Sequence, residues 1–262
     1  AAVPSITEQV MANVQVHKHS IPRVDGEPVI LDGVQHARFE DVMAVLMQKD
    51  EAQKNRHVWL HGPSGTGKTH MAQQCAEALT EHLGREIRFG ALSCQSGMSD
   101  SALFGWLLPL GDDGRFEYQI SQLVDFMING GLFLLDEAAN LPPDCAATLN
   151  MVLGNLRGFL PKRLGNPEFL VSTDFYMLCA DNSDGTGSHG GYIRNPQDTS
   201  FLNRFRMRRI GYDKGIERAL YGTDLPWLKR CWKLRDEVEE LRIGKDIGSR
   251  TIAEGYMLRA AY

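Results

Sequence analysis

One octapeptide constrains this chain more than any other feature: Gly62, Pro63, Ser64, Gly65, Thr66, Gly67, Lys68 and Thr69 fit G-x-x-x-x-G-K-[ST] without a mismatch. The pattern has a mechanical meaning. Glycines let the backbone curl around an anion with its N–H groups aimed inward, and a helix starting there adds the positive end of its dipole. Lys68 can reach the outer phosphates of a nucleotide, and the Thr69 hydroxyl can ligate Mg²⁺. His70, the next residue, is counted with the same binding loop. The flanks agree: His57-Val58-Trp59-Leu60 is a short apolar strand, and Met71, Cys75, Leu79 and Leu83 recur at intervals of four, as on one face of a helix.

A strand, glycine turn and helix in that order call for a parallel sheet, so further buried strands are expected. Residues 132–135 are an uninterrupted apolar run between Gly130-Gly131 and Asp136-Glu137. Such a run reads as a central strand covered on both faces. Ligands of open α/β sheets bind beyond the carboxyl ends of strands, where these two acids sit. Asp136 can hold Mg²⁺, and Glu137 can polarise an attacking water as a general base. Residues 175–180 form another buried strand, and Asn182 follows; its amide can orient water against a γ-phosphate, and a turn residue is the equal alternative. Strands are also expected over 87–92 and 208–212, and a hairpin over 159–172 turning at Gly165-Asn166.

Helices are expected over 36–48, from Ile120 (Ile120, Leu123, Val124, Met127), and behind Pro142-Pro143 (Ala146, Leu149, Val152, Leu153, Leu156). From Asp224 the pattern changes. Trp227, Cys231, Leu234, Val238 and Leu241 repeat at steps of four and three with charges between them, and residues 250–262 begin a second helix. The expectation is a three-layer α/β sandwich with a parallel central sheet and a small C-terminal helical lid. Its parts are an N-terminal arm over 1–35, a nucleotide-binding domain over 36–222 and the lid over 223–262.

Composition narrows the function. Hydrophobic residues make up 43% and charged ones 23%, so a packed core is expected. A net charge of −5 advertises no uniformly basic face. Lys162 and Arg163 on the hairpin are too few to track a phosphate backbone, so nucleic acid is not favoured. The five cysteines contain no C-x-x-C pair, which argues against zinc and disulfides and for buried small hydrophobes. No apolar run approaches the ~20 residues of a membrane span, and a cytoplasmic setting is expected. His61 reads as a packed loop histidine.

With these strands in order, the sequence resembles the AAA+ ATPases, and more narrowly the MoxR group and the small ATPase subunit of cobaltochelatase. Ser101-Ala-Leu-Phe-Gly105, then Gly114-Arg-Phe116, is similar to that group's insertion in its second helix. Cys179-Ala-Asp-Asn182, the glycine-rich loop after it and Tyr192 resemble the chelatase sensor-1 segment. Phe201-Leu-Asn-Arg-Phe205 is similar to the element carrying an arginine finger, with Asn203 where the family has Asp. Ser249-Arg-Thr251 resembles the sensor-2 segment. The resemblance implies ATP and Mg²⁺ as cofactors and a homo-oligomeric ring of hexameric type. It implies Arg204 reaching a neighbour's nucleotide, with Arg206, Arg208 and Arg209 as alternatives, and Arg250 touching the γ-phosphate. It also implies a protein partner, of the kind carrying a von Willebrand A domain. A metal-chelatase motor, a nucleic-acid motor and a nucleotide-binding switch remain open, as does ATP against GTP.

Overall fold

The computed structural model describes residues 16–48, 56–110, 115–159, 168–186, 195–241 and 247–261. Alternation along the central strands explains its layers. In β3 (His57–His61), β7 (Gly131–Asp136) and β10 (Phe175–Asp181), successive side chains point to opposite faces, and both faces are apolar. Trp59, Phe133, Leu135, Met177 and Cys179 pack on one side, and Val58, Leu60, Leu132, Leu134 and Leu178 on the other. A sheet with two oily faces needs a helical layer on each.

One layer is α1 (Phe39–Leu46) and α2 (Lys68–Leu83), which bury Phe39, Val42, Met43, Met71, Cys75 and Leu79. The other is α4 (Gln122–Asn129) and α5 (Pro143–Asn155), through Leu123, Val124, Met127, Leu149, Val152 and Leu153. With β4 (Phe89–Ser93) and β11 (Phe205–Arg209), five parallel strands run in the order β11-β3-β10-β7-β4. This is the expected α/β sandwich. It brings the ends of β3, β7 and β10 side by side, with Asp181 opposite His61 and Ala180 opposite Asp136.

Several expected boundaries move. The first helix starts at Phe39 rather than at 36, because His36 and Ala37 are bonded to Gly211 and Asp213 instead. The last strand is Phe205–Arg209, not 208–212. Phe205 anchors it by edge-on contact with Trp59 at 5.7 Å and Phe201 at 5.1 Å, which its run of arginines conceals. Residues 93–120 contain a short helix, α3 (Asp100–Phe104), and a separate antiparallel ribbon of β5 (Gly105–Leu110) and β6 (Arg115–Ile120), so Ile120, expected in the next helix, instead pairs with Gly105 and the helix begins at Gln122. The later hairpin pairs β8 (Arg157–Phe159) with β9 (Glu168–Leu170), and its turn, with Lys162 and Arg163, lies outside the described residues. So do Gly114, Tyr192 and residues 1–15 of the first segment; in its described part β1 (Ser20–Ile21) and β2 (Val29–Ile30) pair as a short ribbon.

The chain continues through α6 (Thr199–Leu202), α7 (Lys214–Tyr221), α8 (Leu225–Glu240) and α9 (Ser249–Ala261). The last three share a small core of Leu228, Trp232 and Ile252. Here the expected apolar stripe is corrected. Leu234 and Leu241 are 52% and 70% exposed, while Leu228, Trp232 and Arg235 face inward. Periodicity shows that a stripe exists. A buried charge on Arg235 rotates the helix away from the oiliest one.

Candidate nucleotide site

The glycine loop leaves β3 through a junction that admits no side chain. Gly62 has φ +148°, and a Cβ there would lie 2.0 Å from the Ile210 carbonyl oxygen. Gly67 turns left-handed at φ 84° and starts α2 without a side-chain cap. The first amides of that helix are therefore free to meet an anion. Lys68 Nζ folds back over the loop, donating to the carbonyls of Gly62 and Pro63 at 2.8 Å each and to Asn182 Oδ1 at 3.2 Å. Burial pushes its ammonium down to about 8, against the opposing pull of Asp136 and Asp181.

The acids arrive from β7. Thr69 Oγ1 donates to Asp136 Oδ2 at 2.9 Å, so two hard oxygens from separate elements already meet. That donor set suits Mg²⁺, which keeps few protein ligands and takes the rest from water and phosphate. Glu137 stands in a left-handed conformation, φ 53°, unusual for a residue with a side chain. Its carboxylate accepts from Asn140 Nδ2 at 3.0 Å.

A cavity of about 360 Å³ opens above the loop and is lined by Lys68, Thr69, Asp136, Glu137, Asn182 and Arg250, among others. Ser64, Gly65, Thr66, Gly67, His70 and Asp181 complete that wall, whereas Gly62 and Pro63 meet the Lys68 ammonium through their carbonyls without lining the cavity. Arg250, second residue of α9, comes in from the C-terminal helices, its Cβ 3.5 Å from where a Cβ on Gly65 would be. A smaller adjoining cavity of about 160 Å³ is walled by His36, His70, Met71, Gln74, Ile216 and Leu220.

Arg204 is not brought into this cavity. It precedes β11, whose first residue pairs with His57, at the far end of β3 from the loop. Four residue steps at ~3.3 Å each, from His57 to His61, set its backbone about 13 Å from the loop end of β3. Its Nε donates to Asn150 Oδ1 at 2.8 Å, and its guanidinium lies against Gly154. Arg209, by contrast, pairs with His61 near the loop, and Arg206 and Arg208 lie between. His61 is half-buried, and burial lowers its pKa.

Residues that the sequence did not flag hold the backbone after Glu137 in place. Buried Asp181 accepts from Ala139 N at 3.2 Å and from Ser183 N at 2.7 Å, tying the turn after Glu137 to β10. Gln197 Nε2 donates to the carbonyls of Ala139 at 3.3 Å and Leu141 at 3.0 Å. Asn195 N adds a bond to Ala139 O at 3.2 Å. The bonds of Asp181 and Gln197 to residues 139 and 141 join side chains to backbone about 40 to 60 residues away, and no spacing rule exposes them.

Fold and loop together define an α/β nucleotide-binding domain of the P-loop class. The family model for the AAA domain (dynein-related subfamily) matches residues 57–205, and the chain belongs to that family. A curated relative, the Nif-specific regulatory protein of Rhizobium meliloti (strain 1021), is 30% identical over 155 residues, 58% of this chain. The match spans only 27% of that protein's length. Among solved structures, a candidate ATPase of Cytophaga hutchinsonii aligns at TM-score 0.48 and 16% identity, over 71% of this chain and 49% of that one. NtrX of Brucella abortus aligns at 0.43 and 20%, over 66% and 35%. The fold assignment rests on the sheet order and the family model, not on these overlays. No helix among the described residues is long and apolar enough to cross a membrane.

Proposed function

We propose that this chain is an ATP-hydrolysing motor domain of MoxR or chelatase-subunit type that works in a homo-oligomeric, hexameric ring to remodel or activate a partner protein. The observation that carries the reading is the meeting of Lys68, Thr69, Asp136, Glu137, Asn182 and Arg250 in one cavity, while Arg204 stands at the opposite end of β3. A group that cannot reach its own site but borders a face of the domain suits action in a neighbour's.

In this reading the loop amides and Lys68 hold the β- and γ-phosphates. Thr69 and Asp136 would hold Mg²⁺, which supplies charge neutralisation between the outer phosphates. Glu137 takes a proton from the attacking water while Asn182 orients it, and Arg250 steadies the terminal phosphate. Arg204 adds its charge across the subunit boundary, so turnover depends on assembly. The adjoining slot beside Met71, Ile216 and Leu220 suits the flat, apolar face of a nucleobase. The regulatory name of the Rhizobium relative fits a domain that acts on another macromolecule, here a protein that carries a von Willebrand A domain.

The test is the ATPase rate against protein concentration, with native mass alongside, for wild type and Arg204→Ala. Specific activity rising with assembly, and wild-type rings poisoned by the variant, support the reading. A monomer hydrolysing equally at every dilution, indifferent to Arg204→Ala, overturns the ring and the finger.

A further inference from the structure

A buried polar cluster joins the three C-terminal helices outside the nucleotide cavity. Glu217 of α7 and Arg235 of α8 are 1% and 4% exposed. They meet as a two-pronged pair, Nη2 to Oε1 at 2.6 Å and Nη1 to Oε2 at 3.1 Å. Trp232 Nε1 donates to Oε2 at 2.6 Å, and Ser249 Oγ donates to Oε1. Arg235 Nε donates to the Ile247 carbonyl at 2.6 Å. Burying such a pair is no cheap route to stability, because well-packed apolar residues often do as well or better. Its persistence in so small a core points to a task beyond holding helices together.

Two connections lead from the pair to the nucleotide cavity. Ser249 is the residue before Arg250, so the bond to Glu217 sets the first turn of α9 from which Arg250 projects. The Arg235 guanidinium lies over the Tyr212 ring, 4.1 Å from its centroid, and Tyr212 donates its hydroxyl to the Ser64 carbonyl of the glycine loop at 3.3 Å. Gly248 touches the same carbonyl; a Cβ there would stand 3.0 Å from it. The cluster thus grips the loop on one side and the base of Arg250 on the other.

We infer that the Glu217–Arg235 pair is a positioning element that fixes Arg250 relative to the glycine loop. This rests on the reading of the cavity as an ATP site. A carboxylate fixed by Arg235 and Trp232 leaves Ser249 one favoured place. Arg250 then presents its guanidinium without first searching for it, which is how an ordered support raises kcat.

Steady-state hydrolysis, ATP binding and melting temperature of the full chain test this for Ser249→Ala, Glu217→Gln, Arg250→Ala, and each of the first two combined with Arg250→Ala. Arg250→Ala is expected to lower kcat about a hundredfold. Ser249→Ala and Glu217→Gln should each lower it about tenfold, with ATP affinity held within about threefold. Neither should lower kcat further once Arg250 is alanine, because they act through it. Ser249→Thr, which keeps the hydroxyl, should restore the rate. Ser249→Ala removes a single hydroxyl, so it decides the matter even if Glu217→Gln fails to fold. Losses that multiply in the combined variants, or a lowered melting temperature with kcat intact, overturn the positioning role alone. An Arg250→Ala protein as fast as wild type overturns that role together with the assignment of Arg250 to the site.

Discussion

Lys68 should make nucleotide binding pH-dependent between about pH 7 and 9. Its ammonium sits under the loop, bonded to carbonyls and an amide, and burial lowers its pKa from the ordinary 10.5 to about 8. Nucleotide phosphates bind the charged form. With a pKa of about 8, roughly nine-tenths of the free protein carries that charge at pH 7 and roughly a tenth at pH 9. Apparent ATP affinity should therefore fall about tenfold between those values, each pH unit above 8 tending to 1.36 kcal/mol. Binding at pH 8 should take up about half a proton per nucleotide, as the phosphates restore the charge. Stability moves the other way. The unfolded chain holds this proton up to about 10.5, so Lys68 penalises the native state below pH 8 and the penalty fades as pH rises through that window. Calorimetric titration in two buffers of different ionisation enthalpy, using Glu137→Gln to prevent turnover, measures affinity and proton uptake together. Lys68→Arg, whose guanidinium stays charged, should bind with no slope if it binds at all. A flat affinity from pH 7 to 9 with no proton uptake would refute the argument.

Three further outcomes are expected. Glu137→Gln keeps the shape and the bond to Asn140 but loses the base, so kcat should drop by ~10²–10⁴ with ATP binding intact; a variant that turns over normally excludes Glu137 as base. Gly62→Ala forces a Cβ onto the Ile210 carbonyl at a φ of +148°, and urea unfolding should show a loss of about 2–6 kcal/mol; an unchanged midpoint contradicts the described junction. Gln197→Ala strips donors from the carbonyls of Ala139 and Leu141 beside Glu137. It should cost about 1–3 kcal/mol of stability and slow hydrolysis more than it weakens ATP binding. Normal kcat in a destabilised Gln197→Ala protein would show that the turn after Glu137 needs no such support.

Much was legible in sequence because it is local. The glycine loop encodes its own conformation in Gly62 to Thr69, and the apolar runs over 57–60, 132–135 and 175–180 are buried strands wherever they sit in a parallel sheet. Asp136 and Glu137 follow from their place at such a strand's end. From these the α/β sandwich and the phosphate end of the cavity could be written down unaided.

Tertiary structure decided what depends on residues far apart in sequence. Arg250 enters the cavity only because α9 packs back over Gly65, and Arg204 stands away from it only because β11 pairs in register with β3 from Phe205 onward. The inward face of α8 includes Arg235, whose partner Glu217 lies on another helix, so of the expected stripe Trp227 and Cys231 pack against the core while Leu234 and Leu241 face outward. Asp181 and Gln197 gain their places by bonding to backbone that only folding brings near. Periodicity reports how a segment divides its surface between core and water. It carries no information about which distant polar group waits inside, and that pairing is set by the packing of the whole chain.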